Sequence, residues 1–158
     1  MRGIFAEFIV AKALGLACTE PREAWAVVDL VTSEGIKIEV KSAAHIQSWA
    51  QKRASPISFG YRASRPWNAE TGELGAEAMR SADVYVFCLL KTVDRAKFDP
   101  LNLDEWEFYA VPTAWLNGRE RSKSSITLAS LRKNYEPVGF GDLQAAIARA
   151  SIAGGQAR

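Results

Sequence analysis

The sequence predicts an α/β protein in which a central mixed sheet of four to five strands is flanked by helices. Three segments indicate this fold: an amphipathic stretch at 3–14, an alternating stretch at 35–42 and a near-continuous apolar run at 83–90. Apolar residues at helical spacing predict a helix, strict alternation predicts a half-buried strand, and an unbroken apolar run predicts a strand covered on both faces. Their order favours one layer of sheet with helices packed on it.

Length and composition predict a single domain over residues 1–151, followed by a disordered tail over 152–158. The 158 residues suffice for one core, and 48% hydrophobic with 24% charged residues is an ordinary soluble balance. No apolar run approaches the length of a membrane span. Two cysteines, Cys18 and Cys88, are too few for a disulfide framework. They favour buried thiols in a reducing cytoplasm.

The first predicted helix, at 3–14, carries one candidate functional residue, Glu7. The helical repeat predicts that Ile4 and Phe8 belong to the inward stripe, with Glu7 at its edge. Read alone, Glu7 is a solvated flank charge. If the helix packs beside the strands that follow, Glu7 becomes a third carboxylate near a metal site.

A β-hairpin is predicted from residues 24–32 and 35–42, with Ser33–Gly35 as its loop. A three-residue loop places Asp29 directly opposite Glu39, whereas a two-residue loop would turn Asp29 to the other face. Two carboxylates facing each other across a ladder repel unless something neutralises them. The pattern therefore predicts a divalent cation between them.

These residue types suit hydrolysis of a phosphodiester. The reaction needs an activated water and neutralisation of phosphate charge, and a carboxylate-held Mg²⁺ provides both. Lys41 shares the face of Glu39 and is able to orient the water or stabilise developing charge. The Val40 carbonyl is a candidate further oxygen ligand. The single histidine, His45, argues against a histidine-based centre, and the simpler alternative is a half-solvated strand with alternating charges.

Charge is segregated along the chain. Every charged residue between 40 and 69 is basic, whereas acidic residues predominate between 70 and 107. Such segregation indicates a basic surface for a polyanion, and a chance excess on a loop is the alternative. Tyr61 and Trp67 lie among these cations, where they either stack on bases or anchor a loop onto the core. The predicted DNA-binding residues are Gln47, Gln51, Lys52, Arg53, Arg62 and Arg65.

The pattern resembles the PD-(D/E)xK restriction-endonuclease-like superfamily. Asp29 and Glu39-Val40-Lys41 match its motif. Glu7 resembles the helical glutamate of many members, including the archaeal Holliday-junction-resolvase-like branch. Gln47 or Gln51 resembles the glutamine that some branches place after the lysine. The resemblance extends over most of the chain, to about residue 151.

The resemblance implies a restriction-endonuclease-like core and Mg²⁺-dependent DNA cleavage, with Mn²⁺ as a substitute ion. It implies Asp29 and Glu39 as metal ligands, Lys41 as the catalytic lysine, and Glu7 as an accessory ligand, through water, or an orienting acid. The proline that often precedes the motif aspartate is Val28 here. Cutting both strands needs two sites, which implies a homodimer or a partner specificity subunit. The alternatives are a DNA-binding subunit with a degenerate nuclease core and a Holliday-junction-resolvase-like nuclease.

Overall fold

The structure, a computed structural model, describes residues 2–17, 27–46, 56–68, 71–119 and 124–155. Within these ranges the helices are α1 (Arg2–Ala13), α2 (Thr113–Asn117), α3 (Leu128–Arg132) and α4 (Leu143–Gly155). The strands are β1 (Leu30–Val31), β2 (Lys37–Ala44), β3 (Ser58–Gly60), β4 (Trp67–Asn68), β5 (Glu73–Leu74), β6 (Val84–Leu90), β7 (Trp106–Pro112) and β8 (Ser125–Thr127). Three short 3-10 helices span Arg95–Lys97, Leu103–Glu105 and Phe140–Asp142.

The central sheet has four strands in the order β1-β2-β6-β7. β1 is antiparallel to β2, β2 is parallel to β6, and β6 is antiparallel to β7. This arrangement confirms the predicted α/β fold with a mixed sheet flanked by helices. Two small antiparallel sheets, β3–β8 and β4–β5, complete the described strands.

Apolar layers cover both faces of the central sheet. β6 is buried along its whole length, as its apolar run predicts. The first face is covered by α1 and α4, and its core includes Ala6, Ile9, Val10, Ile38, Val40, Val86 and Ile147. The second face is covered by the β3–β8 sheet with α2 and α3, and its core includes Phe59, Tyr61, Tyr85, Phe87, Leu116, Ile126 and Leu131. Alternation along β2 directs Glu39 and Lys41 to the second face.

The β1–β2 hairpin has the register that a three-residue loop predicts. Leu30 pairs with Ile38, and the Thr32 N–H donates to the Ile36 carbonyl at 3.0 Å. Gly35 ends the loop at φ +83°, in the left-handed region that favours glycine. One step beyond the Leu30 pair, the Asp29 N–H donates to the Ile38 carbonyl at 3.1 Å. The Asp29 backbone therefore lies beside Ile38 of β2, and a direct pairing of Asp29 with Glu39 stays a prediction.

The predicted inward stripe of α1 is wrong at Ile4 and Phe8. Ile4 and Phe8 are 73% and 44% exposed, and the buried stripe contains Ala6, Ile9 and Val10. These three residues also follow the helical repeat, turned around the axis from the predicted stripe. The small Ala6 side chain lets the helix approach the sheet closely, which the bulkier Phe8 would prevent.

Several predicted boundaries also need correction. Described residues of the first predicted strand form only β1, and residues 18–26 lie outside the described ranges. β2 continues to Ala44, into the segment predicted as loop and helix. α4 continues to Gly155, so 152–155 are helical and not part of a disordered tail. Residues 156–158 lie outside the described ranges. Among the described helices, none has the length and apolar character that crossing a membrane requires.

We expect Gly35→Ala to lower the free energy of unfolding by about 1 kcal/mol, because a Cβ is strained at this positive φ. No atom lies within 4 Å of the added Cβ, so backbone strain alone is tested. Gly139→Ala is the matched control, since Gly139 is equally uncrowded but has φ −80°. Urea unfolding measures both variants. Equal stability of the two would contradict a left-handed residue 35.

Candidate functional site

Two carboxylates lie together at the edge of the central sheet where β1 meets β2. Asp29 directly precedes β1, and its N–H donates to the carbonyl of Ile38, the residue before Glu39 on β2. Asp29 Oδ2 accepts a hydrogen bond from the Val40 N–H at 2.7 Å. This bond fixes one carboxylate oxygen against the β2 backbone. The Glu39 side chain is half-buried on the second face.

The Val40 carbonyl points to the same edge. Its N–H is directed toward Asp29, and in an extended strand the N–H and C=O of one residue point to the same side. The edge thus collects two carboxylates and one carbonyl, the oxygen donors that hard divalent cations prefer. The described ranges hold no group of three or more His, Cys, Asp or Glu side chains that could bind a metal. Two carboxylates still suit Mg²⁺, which usually retains several waters and also binds substrate phosphate.

Lys41 lies beside this pair. Its Nζ is 2.6 Å from Glu39 Oε1, and the two side chains are 37% and 21% exposed. An ion pair this exposed contributes little to stability, on the order of 1 kcal/mol or less. Its structural effect is to hold an ammonium group at the carboxylate edge.

Glu7 approaches the site from a different direction. α1 packs on the first face, beside Ile38 and Val40, whereas Glu39 points to the second face. Glu7 is half-buried, and it does not join Asp29 and Glu39 in a three-carboxylate group of the described residues. Its role as an accessory acid acting through water stays a prediction.

The structure describes only two of the six predicted DNA-binding residues. Gln47, Gln51, Lys52 and Arg53 lie outside the described ranges. Arg62 and Arg65 are exposed on the segment that follows β3, and their contact with DNA stays a prediction.

The two aromatic residues of that basic segment, Tyr61 and Trp67, differ in their exposure to solvent. Tyr61 is fully buried, so stacking on a base is excluded for it and anchoring onto the core is the correct alternative. Trp67 is 45% exposed, which leaves its ring available for contact.

Sequence reasoning missed Tyr85, which belongs to the apolar run of β6. The parallel register places it beside Glu39, and its ring meets Tyr61 edge-on at 6.4 Å. Burial raises the pKa of Tyr85 to about 12; the charges of Glu39 and Asp29 also raise it, and Arg80 opposes them. A protonated hydroxyl therefore adjoins the acidic pair at neutral pH. The available sequence signal was a single tyrosine within the apolar run at 83–90. Parallel pairing of that strand with β2 aligns this tyrosine with Glu39.

The mixed sheet and its carboxylate–lysine edge define an α/β core of the nuclease-like class. The chain belongs to the bacteriophage T4 endonuclease IV family, whose family model matches residues 1–129. The matched region contains all the candidate site residues and the whole central sheet, and α4 lies beyond it. No curated protein sequence shows significant similarity to the chain. Membership in an endonuclease family identifies the protein as a nuclease.

We expect Tyr85→Phe to make stability less sensitive to alkaline pH. The pKa is about 12 in the folded protein and about 10 in the unfolded chain, so the unfolded chain loses this proton first. The contribution is complete below about pH 10 and is lost as pH rises toward 12.

Between about pH 9 and about pH 11, the wild type should lose about 1 kcal/mol more unfolding free energy than the variant. Urea unfolding at both pH values measures this difference. A parallel loss in the two proteins would mean that the fold does not perturb Tyr85.

Proposed function

We propose that this nuclease is a metal-dependent DNA endonuclease of the PD-(D/E)xK type, which hydrolyses phosphodiester bonds at the Asp29–Glu39–Lys41 edge. One observation carries the proposal: the Asp29 carboxylate accepts a hydrogen bond at 2.7 Å from the N–H of Val40, the residue between Glu39 and Lys41, and Lys41 Nζ lies 2.6 Å from Glu39 Oε1. Membership in the endonuclease IV family supports the nuclease activity. The basic character of residues 40–69 supports a nucleic acid as the substrate.

Asp29, Glu39 and the Val40 carbonyl are the groups that hold the divalent cation, Mg²⁺ or Mn²⁺ as its substitute. When bound, the ion supplies charge neutralisation at the scissile phosphate and acidifies the attacking water. The bond from the Val40 N–H keeps Asp29 Oδ2 oriented before substrate arrives. Glu7 acts as the accessory acid, through water.

Lys41 orients the attacking water and stabilises the negative charge that develops on the phosphate. An ammonium group has three N–H donors, and Glu39 accepts one of them. The other two are available for the attacking water and a non-bridging phosphate oxygen. A donor held next to the site stabilises the negative charge that develops on the phosphate as the water attacks. The half-exposed position of Lys41 gives a substrate strand direct access to it.

The assembly and the location follow from the same proposal. One Asp29–Glu39 edge cleaves one strand at a time, so double-strand cleavage requires a homodimer or a partner specificity subunit. The free thiol of Cys88 is fully buried, in keeping with a reducing cytoplasm. Restriction, defence, mobile-element and repair roles are all compatible with this chemistry.

The test is nicking of supercoiled plasmid with Mg²⁺. We expect Lys41→Ala, Glu39→Ala and Asp29→Asn each to lower the rate by about 100-fold or more, because each removes a group acting on the scissile phosphate or its metal. EDTA should abolish cleavage. Undiminished cleavage by Lys41→Ala and Glu39→Ala would refute the proposal.

Lys37→Ala is the matched control for the lysine. Lys37 lies on the same face of the same strand, is exposed, and has no role in the proposed chemistry. Its variant should cleave at the wild-type rate. DNA binding without cleavage in either Mg²⁺ or Mn²⁺ would instead favour the DNA-binding subunit. Preference for a four-way junction over linear duplex would favour a resolvase-like nuclease.

A further inference from the structure

Two arginines converge on Tyr61, on the sheet face that carries Glu39. The guanidinium carbon of Arg80 lies 4.9 Å from the Tyr61 ring centroid, and that of Arg119 lies 5.7 Å from it. Tyr61 in turn contacts Tyr85, whose backbone is paired with Glu39. Side-chain contacts and one strand pairing thus connect the two guanidinium groups to the acidic edge.

Hydrogen bonds hold Arg80 in place. Its Nε donates to the Tyr61 carbonyl at 2.8 Å, and its Nη1 donates to Asn117 Oδ1 at 2.6 Å. Arg80 is half-buried, while Asn117 is exposed. These two bonds therefore orient the guanidinium group of Arg80.

Arg119 is held by uncharged groups. Its Nη1 donates to the Tyr61 hydroxyl at 3.2 Å, its Nη2 donates to Ser130 Oγ at 3.5 Å, and it lies over the Trp115 ring at 5.4 Å. A guanidinium has five donors, and these contacts occupy two of them. None of these partners neutralises its positive charge. An oriented guanidinium with donors to spare matches the geometry of a phosphate group.

A cleft of about 820 Å³ is lined by Arg80, although not by Arg119. Asn117, Thr113 and the end of the hairpin loop also line it. The Thr113 hydroxyl is buried and has no hydrogen-bond partner among the described residues. Glu34 and Asp83 also line the cleft, and their negative charges repel an anion. We therefore place the anion beside Arg80.

We propose that Arg80 and Arg119, positioned by Tyr61, bind the phosphodiester backbone of the DNA strand next to the cleaved bond. The inference rests on the proposed function, and it adds a binding site that the motif residues do not include. The carboxylates of Asp29 and Glu39 repel a polyanion, and nearby fixed cations offset this repulsion.

The test is DNA binding at increasing salt, with cleavage prevented by EDTA. Fluorescence anisotropy with a labelled duplex, titrated from about 50 to about 300 mM KCl, yields the slope of log K against log salt. Each phosphate contact contributes about 0.9 to this slope for duplex DNA. We expect Arg80→Gln and Arg119→Gln each to reduce the slope by about that amount and the double variant by about twice that amount.

Arg149→Gln is the matched control. Arg149 is exposed on α4, which covers the opposite face, so its variant should keep the wild-type slope. Arg80→Lys and Arg119→Lys test whether charge is what matters. They should recover most of the slope lost in the glutamine variants, although lysine cannot reproduce the paired hydrogen bonds of arginine. A purely structural role would make both substitutions equally harmful.

The outcomes separate this inference from the proposed function. Slopes equal to the wild type in both glutamine variants, with unchanged circular dichroism, would overturn the arginine site and leave the nuclease proposal intact. Loss of plasmid cleavage in Lys41→Ala, together with reduced slopes in both glutamine variants, would support both. A wild-type protein that binds DNA in neither EDTA nor Ca²⁺ would overturn both.

Discussion

The candidate site depends on the register of the β1–β2 hairpin. A three-residue loop ending in the left-handed Gly35 pairs Thr32 with Ile36, and the pairing of Leu30 with Ile38 follows from that one. Because side chains alternate along a strand, a slip of one residue would turn Asp29 to the opposite face. The contact of Asp29 with the Val40 N–H then holds the carboxylate in place. The chemistry of the edge is thus fixed mainly by backbone geometry.

The two faces of the central sheet differ in the side chains that cover them. The helical face supplies most of the purely aliphatic packing, through α1 and α4 on Ile38 and Val86. The other face combines packing with polar groups, because three of its buried aromatic residues, Tyr61, Tyr85 and Tyr109, carry hydroxyls. Tyr61 shows this best, since its buried ring fills the core while its two oxygens orient Arg80 and Arg119. Tyr61 thus fills the core with its ring and positions both arginines, one through its backbone carbonyl and one through its hydroxyl.

Local patterns in the sequence predicted the sheet and the pairing of the β1–β2 hairpin next to its loop, because alternation, turn chemistry and apolar runs are encoded in neighbouring residues. The orientation of α1 was missed, since several helical stripes were apolar and only packing on the sheet selects the one with Ala6. Arg80 and Arg119 were missed for another reason. They lie 19 and 58 residues from Tyr61, and no short-range pattern brings them together. Non-local contacts of this kind require the fold itself.

The position of β1 has a consequence for how the protein loses activity. The described β1 has two residues and lies at the outer edge of the sheet, whereas β6 is central and wholly buried. Short edge strands open by local fluctuation at a lower free energy than the core requires. Asp29 is attached to that strand, so the acidic pair separates whenever β1 frays. On heating, activity would then be lost before the whole protein unfolds. The lifetime of the active state would equal the time for which β1 stays paired with β2.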